Sequence, residues 1–360
     1  MMKPAVLNGR ILEVPIIQGG MGVGISLSSL AGHVMKEGGM GVISAAHPGY
    51  ARSDFRIDSM HANCEAIKEE CAKARAISGG RGLLGVNIMV ASTDYDTYVK
   101  ASVEAGADAI ISGAGLPLHL PSLVEGSDIL LAPVISSAKA AKLVLRYWDS
   151  HYGRTPDFIV IEGSEAGGHL GFRKADLEAG TCQSLETIVP EVAQVCVPFE
   201  TKYGRKIPLF PAGGIYDGAD IARMMKLGAA GVQMATRFIA TYECDASDSF
   251  KQAVISCRKE DITLVKSPAG LPGRALNNRF AQKVQGQMIS MSSCLHCMKP
   301  CDPKNTPYCI SEALIRAVSK DADEGIVFVG ANAWRVDHMM HVRELMNELI
   351  TGTEEALKEN

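Results

Sequence analysis

Residues 158–171, Phe-Ile-Val-Ile-Glu-Gly-Ser-Glu-Ala-Gly-Gly-His-Leu-Gly, join a short apolar run to a turn rich in glycine and polar groups. An apolar run of this kind predicts a strand buried on both faces, as in a parallel sheet covered by helices. The first 240 residues contain eight such runs, at 14–18, 41–44, 85–89, 109–112, 129–132, 158–162, 208–211 and 231–234. Helical spacing appears between them, at 28–36, 63–78, 94–105, 138–149, 185–202 and 217–227.

Eight strand-then-helix units within 240 residues match the usual size of a (β/α)₈ barrel, about 250 residues. We therefore predict an α/β fold, a (β/α)₈ TIM barrel over 1–240. A doubly wound open sheet is the rival, favoured only if one or two of the runs are not strands. Past Tyr242 the rhythm stops and a Pro-, Gly- and Cys-rich region follows at 267–309. This predicts a smaller C-terminal inserted domain at 241–323, helical and Cys-rich, and a segment at 324–360 that returns to the barrel.

The overall composition narrows the class of protein. The chain has 36 basic and 40 acidic residues, a net charge of −4 and 47% hydrophobic residues. We find no basic stripe interleaved with aromatic residues, so a nucleic-acid partner is not expected. No apolar run approaches the ~20 residues that span a bilayer, and no signal-peptide pattern opens the chain. The sequence therefore predicts a cytoplasmic protein without a membrane partner, whose ten cysteines are reduced, metal-bound or buried.

In a barrel of this kind the site forms at the carboxyl ends of the strands. Gly213 and Gly214 follow the seventh run and Thr236 follows the eighth, where barrels often bind a phosphate through backbone N–H groups. The alternative is that these glycines only make tight turns. His169 lies beyond the sixth strand, in a glycine-rich turn, and its intrinsic pKa near neutrality suits proton transfer. A structural histidine is the alternative, and Glu162 would orient His169 or bind a sugar hydroxyl of a cofactor.

Several of these segments together resemble a known family. Matching stretches lie at 15–21 (PIIQGGM), 85–88 (GVNI), 162–169 (EGSEAGGH), 212–215 (AGGI), 217–218 (DG), 228–229 (GA) and 233–238 (QMATRF). They are similar to the nitronate monooxygenase family, formerly 2-nitropropane dioxygenases. That family of FMN enzymes includes the flavin-dependent enoyl-[acyl-carrier-protein] reductases (enoyl-ACP reductase II).

The resemblance implies a barrel that binds FMN, with His169 as the active-site histidine that handles a proton or contacts the substrate. It places Gln18, Gly19 and Gly20 near the isoalloxazine, which Asn87 would hydrogen-bond. It brings Gly167 and Gly168 up to the flavin and Gly213 and Gly214 to the phosphate. The phosphate cup would be closed by the run of Gln233, Met234, Ala235 and Thr236. Two features depart from the family: Ala132-Pro133 replaces a frequent lysine at the end of the fifth strand, and the turn before His169 is closer to the enoyl reductases.

Four cysteines near the C-terminus form a separate motif. Cys294, Cys297, Cys301 and Cys309 have the spacing C-x₂-C-x₃-C-x₇-C. Four thiolates this close can hold an iron–sulfur cluster or a zinc ion, and the third alternative is that no metal binds. The spacing resembles that of the dienoyl reductases, flavin barrels that hold a four-iron cluster, although the last gap is shorter here. A cluster would fit a flavin enzyme that receives electrons from a one-electron donor.

The leading hypothesis is an FMN-dependent oxidoreductase that oxidises alkyl nitronates with oxygen. The first alternative is an NAD(P)H-dependent flavin reductase of enoyl-ACP, another enoyl thioester or a quinone. A non-redox isomerase or aldolase that binds a phosphorylated substrate should need a lysine or paired carboxylates at the strand ends, which we do not find convincingly. The expected partner is a small-molecule substrate, a nitronate or an enoyl thioester. Residues 271–280 are a candidate lid or dimer contact, which leaves a homodimer open.

Overall fold

The structure is a computed structural model that describes residues 2–289 and 294–358. Its strands are β1 Ala5–Leu7, β2 Arg10–Leu12, β3 Ile16–Gln18, β4 Met40–Ser44, β5 Leu83–Met89, β6 Ala109–Gly113, β7 Leu130–Ile135, β8 Ile159–Glu162, β9 Gly168–His169, β10 Leu209–Ala212, β11 Val232–Met234, β12 Ile262–Lys266 and β13 Pro272–Leu276. Its α-helices are α1 Ser28–Lys36, α2 Ser59–Ser78, α3 Tyr95–Glu104, α4 Ala138–Tyr152, α5 Lys174–Ala179, α6 Leu185–Tyr203, α7 Gly218–Lys226, α8 Thr236–Ile239, α9 Asp248–Ile255, α10 Arg279–Gly286, α11 Ile310–Ser319 and α12 Val342–Lys358. Short 3₁₀ helices lie at Leu120–Val124, Lys259–Asp261, Ala322–Glu324 and Ala333–Arg335.

Eight parallel strands close into a barrel in the order β10-β11-β3-β4-β5-β6-β7-β8. Each of the eight predicted runs forms one of these strands, so the predicted (β/α)₈ barrel is confirmed. The open doubly wound sheet is wrong because β10 pairs with both β8 and β11, which leaves no free edge in this sheet.

The fifth barrel strand is longer than its apolar run predicts. The prediction ended it at Ala132, but β7 continues through Pro133 to Ile135. Proline lacks an N–H and usually interrupts a central strand. Pairing nevertheless resumes at once, because Val134 and Ile135 are in register with Val160 and Ile161 of β8. The carboxyl end of this strand is therefore next to Ser136 rather than at Ala132.

The barrel interior is a packed apolar core. Side chains of alternate strand positions meet there, and Phe158 and Phe210 form an edge-to-face pair with ring centroids 5.6 Å apart. The hairpin β1–β2 contributes Leu7 and Leu12 to this cluster. Because the N-terminal end is filled by this hairpin and the interior is solid, the remaining cavity lies at the carboxyl ends of the strands.

The chain beyond the barrel covers that carboxyl end. Strands β12 and β13 form a hairpin whose second strand pairs with β9, the Gly168–His169 pair. Helix α12 packs against α7 and α1 on the outside of the barrel. The predicted domain boundaries at 240 and 323 stay predictions, and the predicted domains include Met1, 290–293 and 359–360, which lie outside the described residues. None of the helices in the described part of the chain is long and apolar enough to cross a membrane.

Candidate active site

A cavity of about 280 Å³ opens at the carboxyl ends of the barrel strands. It collects the residues predicted from separate strand ends, namely Gly19, Gly20, Asn87, Glu162, Gly167, Gly168, His169, Gly213, Gly214, Gln233, Met234, Ala235 and Thr236. Gln18 is the exception. Its buried side chain instead accepts a hydrogen bond from the Val42 N–H at 3.0 Å and donates to the Gly19 carbonyl oxygen at 2.5 Å, so it braces β3 against β4.

Two glycines bring the backbone close to the cavity wall. A Cβ atom on Gly20 would lie 2.4 Å from the Cβ of Asn87, and one on Gly167 would lie 2.5 Å from the backbone carbon of Val329. Real Cβ atoms do not approach so closely, because the repulsion is steep at that distance. The absence of a side chain at these positions is therefore what allows the first and sixth strand ends to line one cavity.

The seventh and eighth strand ends form the end of the cavity where the sequence predicts a phosphate site. Gly213 and Gly214 have φ angles of 94° and 80°, a left-handed conformation that glycine adopts at no steric cost. The loop after residue 329 closes over them, since Gly330 N–H donates to Thr236 Oγ1 at 2.9 Å and Asn332 Nδ2 donates to the Gly214 carbonyl oxygen at 2.9 Å. Gly330 and Asn332 were not predicted, although they follow the apolar run at 326–329, because that run lies beyond the eight strand-then-helix units of the barrel.

The residues present fit a flavin mononucleotide. Among the residues that the structure describes, the buried Gln233 Oε1 has no hydrogen-bond partner, although it lies in the cavity wall. A buried acceptor without a donor costs about 1–3 kcal/mol, so a ligand hydroxyl or N–H is the expected partner. FMN carries such donors together with a terminal phosphate, which matches the neighbouring glycine turn at Gly213 and Gly214, since Gln233 is paired with Ala212.

His169 is fixed by a contact from outside the barrel. Its Nε2 lies 2.6 Å from Ser267 Oγ, in the turn that joins β12 to β13, and its ring meets Phe328 edge-on at 5.1 Å. Burial lowers the pKa of His169 to about 4. The sequence suggested a group that gives or takes a proton near neutral pH, whereas the buried imidazole is neutral at cellular pH and is a hydrogen-bond partner or base.

Glu162 is the carboxyl group that titrates near neutrality in this cavity. Burial raises its pKa to about 7, and hydrogen bonds from Gly171 N–H and the Ser136 hydroxyl, at 2.8 and 3.3 Å, offset part of that rise. These partners differ from the predicted one, since Glu162 hydrogen-bonds Gly171 and Ser136 and not His169. Ser136 directly follows the observed end of β7, three residues beyond the predicted end at Ala132, so it was not predicted.

A second histidine of the cavity, His47, was missed. Its Nε2 lies 2.7 Å from Ser311 Oγ, and its Nδ1 lies 3.2 Å from Asn63 Nδ2. Burial lowers its pKa to about 4, and the Coulomb effect of Arg56 adds to that. His47 has a φ of 50°, and histidine is one of the residues enriched in that region. Its position three residues after the second predicted strand was the sequence signal that could have identified it.

The four cysteines of the C-terminal motif line a second cavity, of about 410 Å³. The wall between the two cavities is shared, because Leu295, Cys297, Met298 and Ile310 line both. Within residues 2–289 and 294–358, no group of three or more His, Cys, Asp or Glu side chains is arranged to hold a single metal ion. The predicted metal site is therefore not preformed for one ion.

A parallel (β/α)₈ barrel whose strand ends bring glycine turns and a half-buried histidine to one cavity has the architecture of a barrel enzyme. Comparison with known proteins identifies the family. The family model for nitronate monooxygenase matches residues 5–352. The chain belongs to the nitronate monooxygenase family, and it is an FMN-dependent oxidoreductase.

Individual relatives agree with this assignment. A probable nitronate monooxygenase of Staphylococcus aureus (strain Newman) is 27% identical over 303 residues, covering 76% of this chain and 78% of the relative. A FabK structure from Thermotoga maritima has a TM-score of 0.73 at 25% identity and covers 97% of this chain and 95% of that one. A nitroalkane oxidase from Streptomyces ansochromogenes has the same fold, with a TM-score of 0.73 at 20% identity and coverage of 96% and 97%.

Proposed function

We propose that this protein oxidises alkyl nitronates, with oxygen as the electron acceptor and FMN as the cofactor. The observation that carries the proposal is the neutral, half-buried imidazole of His169 in the cavity wall. A nitronate is already deprotonated at carbon, so its oxidation needs no acid in the site. It needs a hydrogen-bond donor that holds the nitronate oxygen, and a neutral imidazole supplies one.

The hydrogen bonds around His169 support this role. Ala269 N–H donates to Ser267 Oγ at 3.2 Å, which leaves the Ser267 hydroxyl hydrogen free to donate to His169 Nε2. With Nε2 as an acceptor, the single ring proton stays on Nδ1. The Nδ1–H is then the donor that the imidazole offers to a substrate oxygen. To accept a proton from a neutral nitroalkane at Nδ1, the imidazole would have to adopt the other tautomer, with its proton on Nε2 donating to Ser267 Oγ.

The other cavity residues hold the cofactor. Bound FMN would supply the electron acceptor for the substrate carbon. The backbone at Gly213 and Gly214, with Thr236, would bind its phosphate, and Gln233 Oε1 would accept from a hydroxyl or N–H. The packed barrel interior closes the inner side of the cavity, so water reaches the site only from its mouth.

Glu162 favours a second candidate, the NAD(P)H-dependent reduction of an enoyl thioester. That reaction must place a proton on the α-carbon, and His169 does not carry one at pH 7. Glu162, with a pKa of about 7, holds a proton on about half of the molecules at that pH. The carboxyl group would donate this proton and be reloaded from solvent.

Turnover assays separate the two candidates. The purified protein should be yellow with bound FMN, and a colourless preparation that takes up no FMN would contradict both. Oxygen consumption with propionate 3-nitronate, compared with NADH oxidation in the presence of crotonyl thioester, tests which substrate is used. In nitronate oxidation, His169 should add no pH dependence to kcat/KM between pH 6 and pH 8, because it stays neutral. A change through pH 7 in wild type should come from Glu162 and be absent in Glu162→Gln. In enoyl reduction, a rate that falls as pH rises through 7 would support Glu162 as the proton donor.

His169→Ala should lower nitronate turnover while FMN stays bound, and unchanged turnover would remove His169 from the mechanism. A cytoplasmic location and a homodimer, both expected from the sequence, are also proposals. Cell fractionation tests the first, and light scattering of the purified protein tests the second.

A further inference from the structure

The four cysteines of the C-terminal motif are brought to one cavity by three anchors. Thr93 N–H donates to the Cys297 carbonyl oxygen at 3.1 Å, and Lys299 N–H donates to the Ala91 carbonyl oxygen at 2.9 Å. These bonds tie the cysteine loop to the end of β5, one of the barrel strands. Cys309 is held independently, because it is the residue that caps the N-terminus of α11.

All four cysteines line the same cavity. Thiolate sulfur is a ligand of zinc and of the iron in iron–sulfur clusters, so a cavity with four cysteines in its wall is a candidate site for either centre.

The space between the four cysteines distinguishes a zinc site from an iron–sulfur cluster. A single zinc ion needs four sulfurs 2.3 Å from the metal, which puts neighbouring sulfurs about 3.8 Å apart. The described residues show no group already gathered around one ion. The thiols instead face a cavity of about 410 Å³, which has room for several inorganic atoms between them. An iron–sulfur cluster places its own iron and sulfide atoms between the cysteine ligands.

Hydrogen bonds to the sulfurs are also in place. His296 N–H donates to Cys294 Sγ at 3.3 Å, in a turn where His296 has a φ of 49°. The Ser311 hydroxyl donates to Cys297 Sγ at 3.0 Å. Donors of this kind favour thiolate ligands and tune the reduction potential of a cluster.

The Ser311 bond continues into the active site. Asn63 Nδ2 donates to His47 Nδ1, which makes Nδ1 the acceptor and leaves the proton on Nε2. His47 Nε2–H then donates to Ser311 Oγ, and Ser311 donates its own hydrogen to Cys297 Sγ. Every bond in this chain runs in the same direction and ends on the Cys297 sulfur, which accepts from Ser311.

We propose that Cys294, Cys297, Cys301 and Cys309 bind an iron–sulfur cluster, separated from the flavin cavity by the wall that contains Cys297. Assembly converts the four thiols into thiolates and releases their four protons as iron and sulfide bind. The cluster would stand beside the flavin as a centre that changes charge by one electron. This proposal does not depend on which substrate the flavin site takes.

Anaerobic reconstitution of the FMN-loaded protein with ferric and ferrous iron and sulfide tests the site, since half-exposed cysteines leave a cluster open to oxygen. We expect equal amounts of iron and acid-labile sulfide, and a paramagnetic signal on reduction that free flavin does not give. Cys301→Ser and Cys309→Ser should lose most of the iron while FMN content is unchanged. Cys182→Ser, a half-buried cysteine outside the motif, is the matched control and should bind as much iron as wild type.

Ser311→Ala keeps all four cysteines and removes only the hydroxyl donor. We expect the cluster to remain and its reduction potential to fall, because a hydrogen bond to sulfur stabilises the more negative reduced state. Binding of zinc alone, no metal after reconstitution, or equal iron in Cys182→Ser and Cys301→Ser would each overturn the cluster. An unchanged potential in Ser311→Ala would overturn the part played by the hydrogen-bond chain.

Discussion

The substitution Glu162→Gln tests the electrostatics of the active site directly. Glu162 has a pKa of about 7 in the folded protein, against 4.5 for an ordinary glutamate. The folded protein therefore holds a proton that the unfolded chain has lost between these two values. The stability that this proton contributes is fully present below pH 4.5 and is lost as pH rises through 7. Glutamine keeps an acceptor for Gly171 N–H but does not titrate, so its contribution does not change with pH.

The magnitude follows from the size of the shift. A difference of about 2.5 pH units corresponds to about 3 kcal/mol in the free energy of unfolding. Between pH 5 and pH 8 about 2.5 kcal/mol of this contribution is lost, because pH 5 already lies above the unfolded pKa of 4.5. A chain of 360 residues unfolds with an entropy of about 0.8 kcal/mol/K, so this loss equals about 3 °C in Tm. We expect the Tm of wild type, relative to that of Glu162→Gln, to fall by about 3 °C between pH 5 and pH 8.

The assay is thermal unfolding of both proteins, saturated with FMN, at pH 5 and pH 8. His47 and His169 have lowered pKa values and act in the opposite direction at low pH, but they are present in both proteins and cancel in the comparison. Glu178→Gln, at an exposed carboxylate paired with Lys174, is the control, since solvent screens that pair. An identical pH dependence in wild type and Glu162→Gln would refute the raised pKa.

Three further substitutions test other parts of the site. Gly213→Ala should lose FMN binding and stability, because its Cβ would lie 2.7 Å from the Ala166 nitrogen. The control is Gly228→Ala, which has a similar φ of 96° and no described atom within 4 Å of the added Cβ. It should lose about 1 kcal/mol of stability but keep FMN. Equal FMN content in the two variants would count against the phosphate site. Gln233→Met should raise the Kd for FMN about tenfold, measured by fluorescence titration, since the ligand loses one hydrogen bond; an unchanged Kd would mean that Gln233 Oε1 does not contact the cofactor. Ser267→Ala should lower kcat/KM about tenfold with FMN retained, and Ser267→Thr should restore it; a loss in both variants would point to packing rather than to the hydroxyl.

The barrel could be predicted because its signals are local. Each strand is an apolar run that ends in small or polar residues, and each helix shows its own spacing, as in α1 at Ser28–Lys36 where the predicted bounds are those observed. The end of β7 was misplaced because Pro133 is a strong local signal for a strand end. Only the pairing of Val134 with Val160 of a neighbouring strand overrides it, and that partner is not visible in the local sequence.

The candidate site was predictable where it is built from strand ends, and not where distant segments complete it. Gly213, Gly214 and Gln233 follow barrel strands, so the fold alone puts them at one end of the molecule. Ser267 and Asn332 reach the same cavity from beyond the barrel, by a hairpin and a returning loop that no periodicity announces. Gln18 shows that a strand-end position does not determine the direction of a side chain. Its position and the family resemblance predicted it in the site, whereas its side chain hydrogen-bonds the Val42 backbone.

The protonation states of the site depend on burial, which the residue type alone does not give. His169 and Glu162 begin with ordinary pKa values on opposite sides of pH 5.5, and the folded structure reverses their order. The histidine becomes the group without a proton to give, and the carboxyl group becomes the one that carries a proton at neutral pH. A mechanism drawn from residue types would therefore assign the acid to the wrong side chain. The pH dependence of Glu162→Gln and of His169→Ala decides between these two groups, and with them between nitronate oxidation and enoyl reduction.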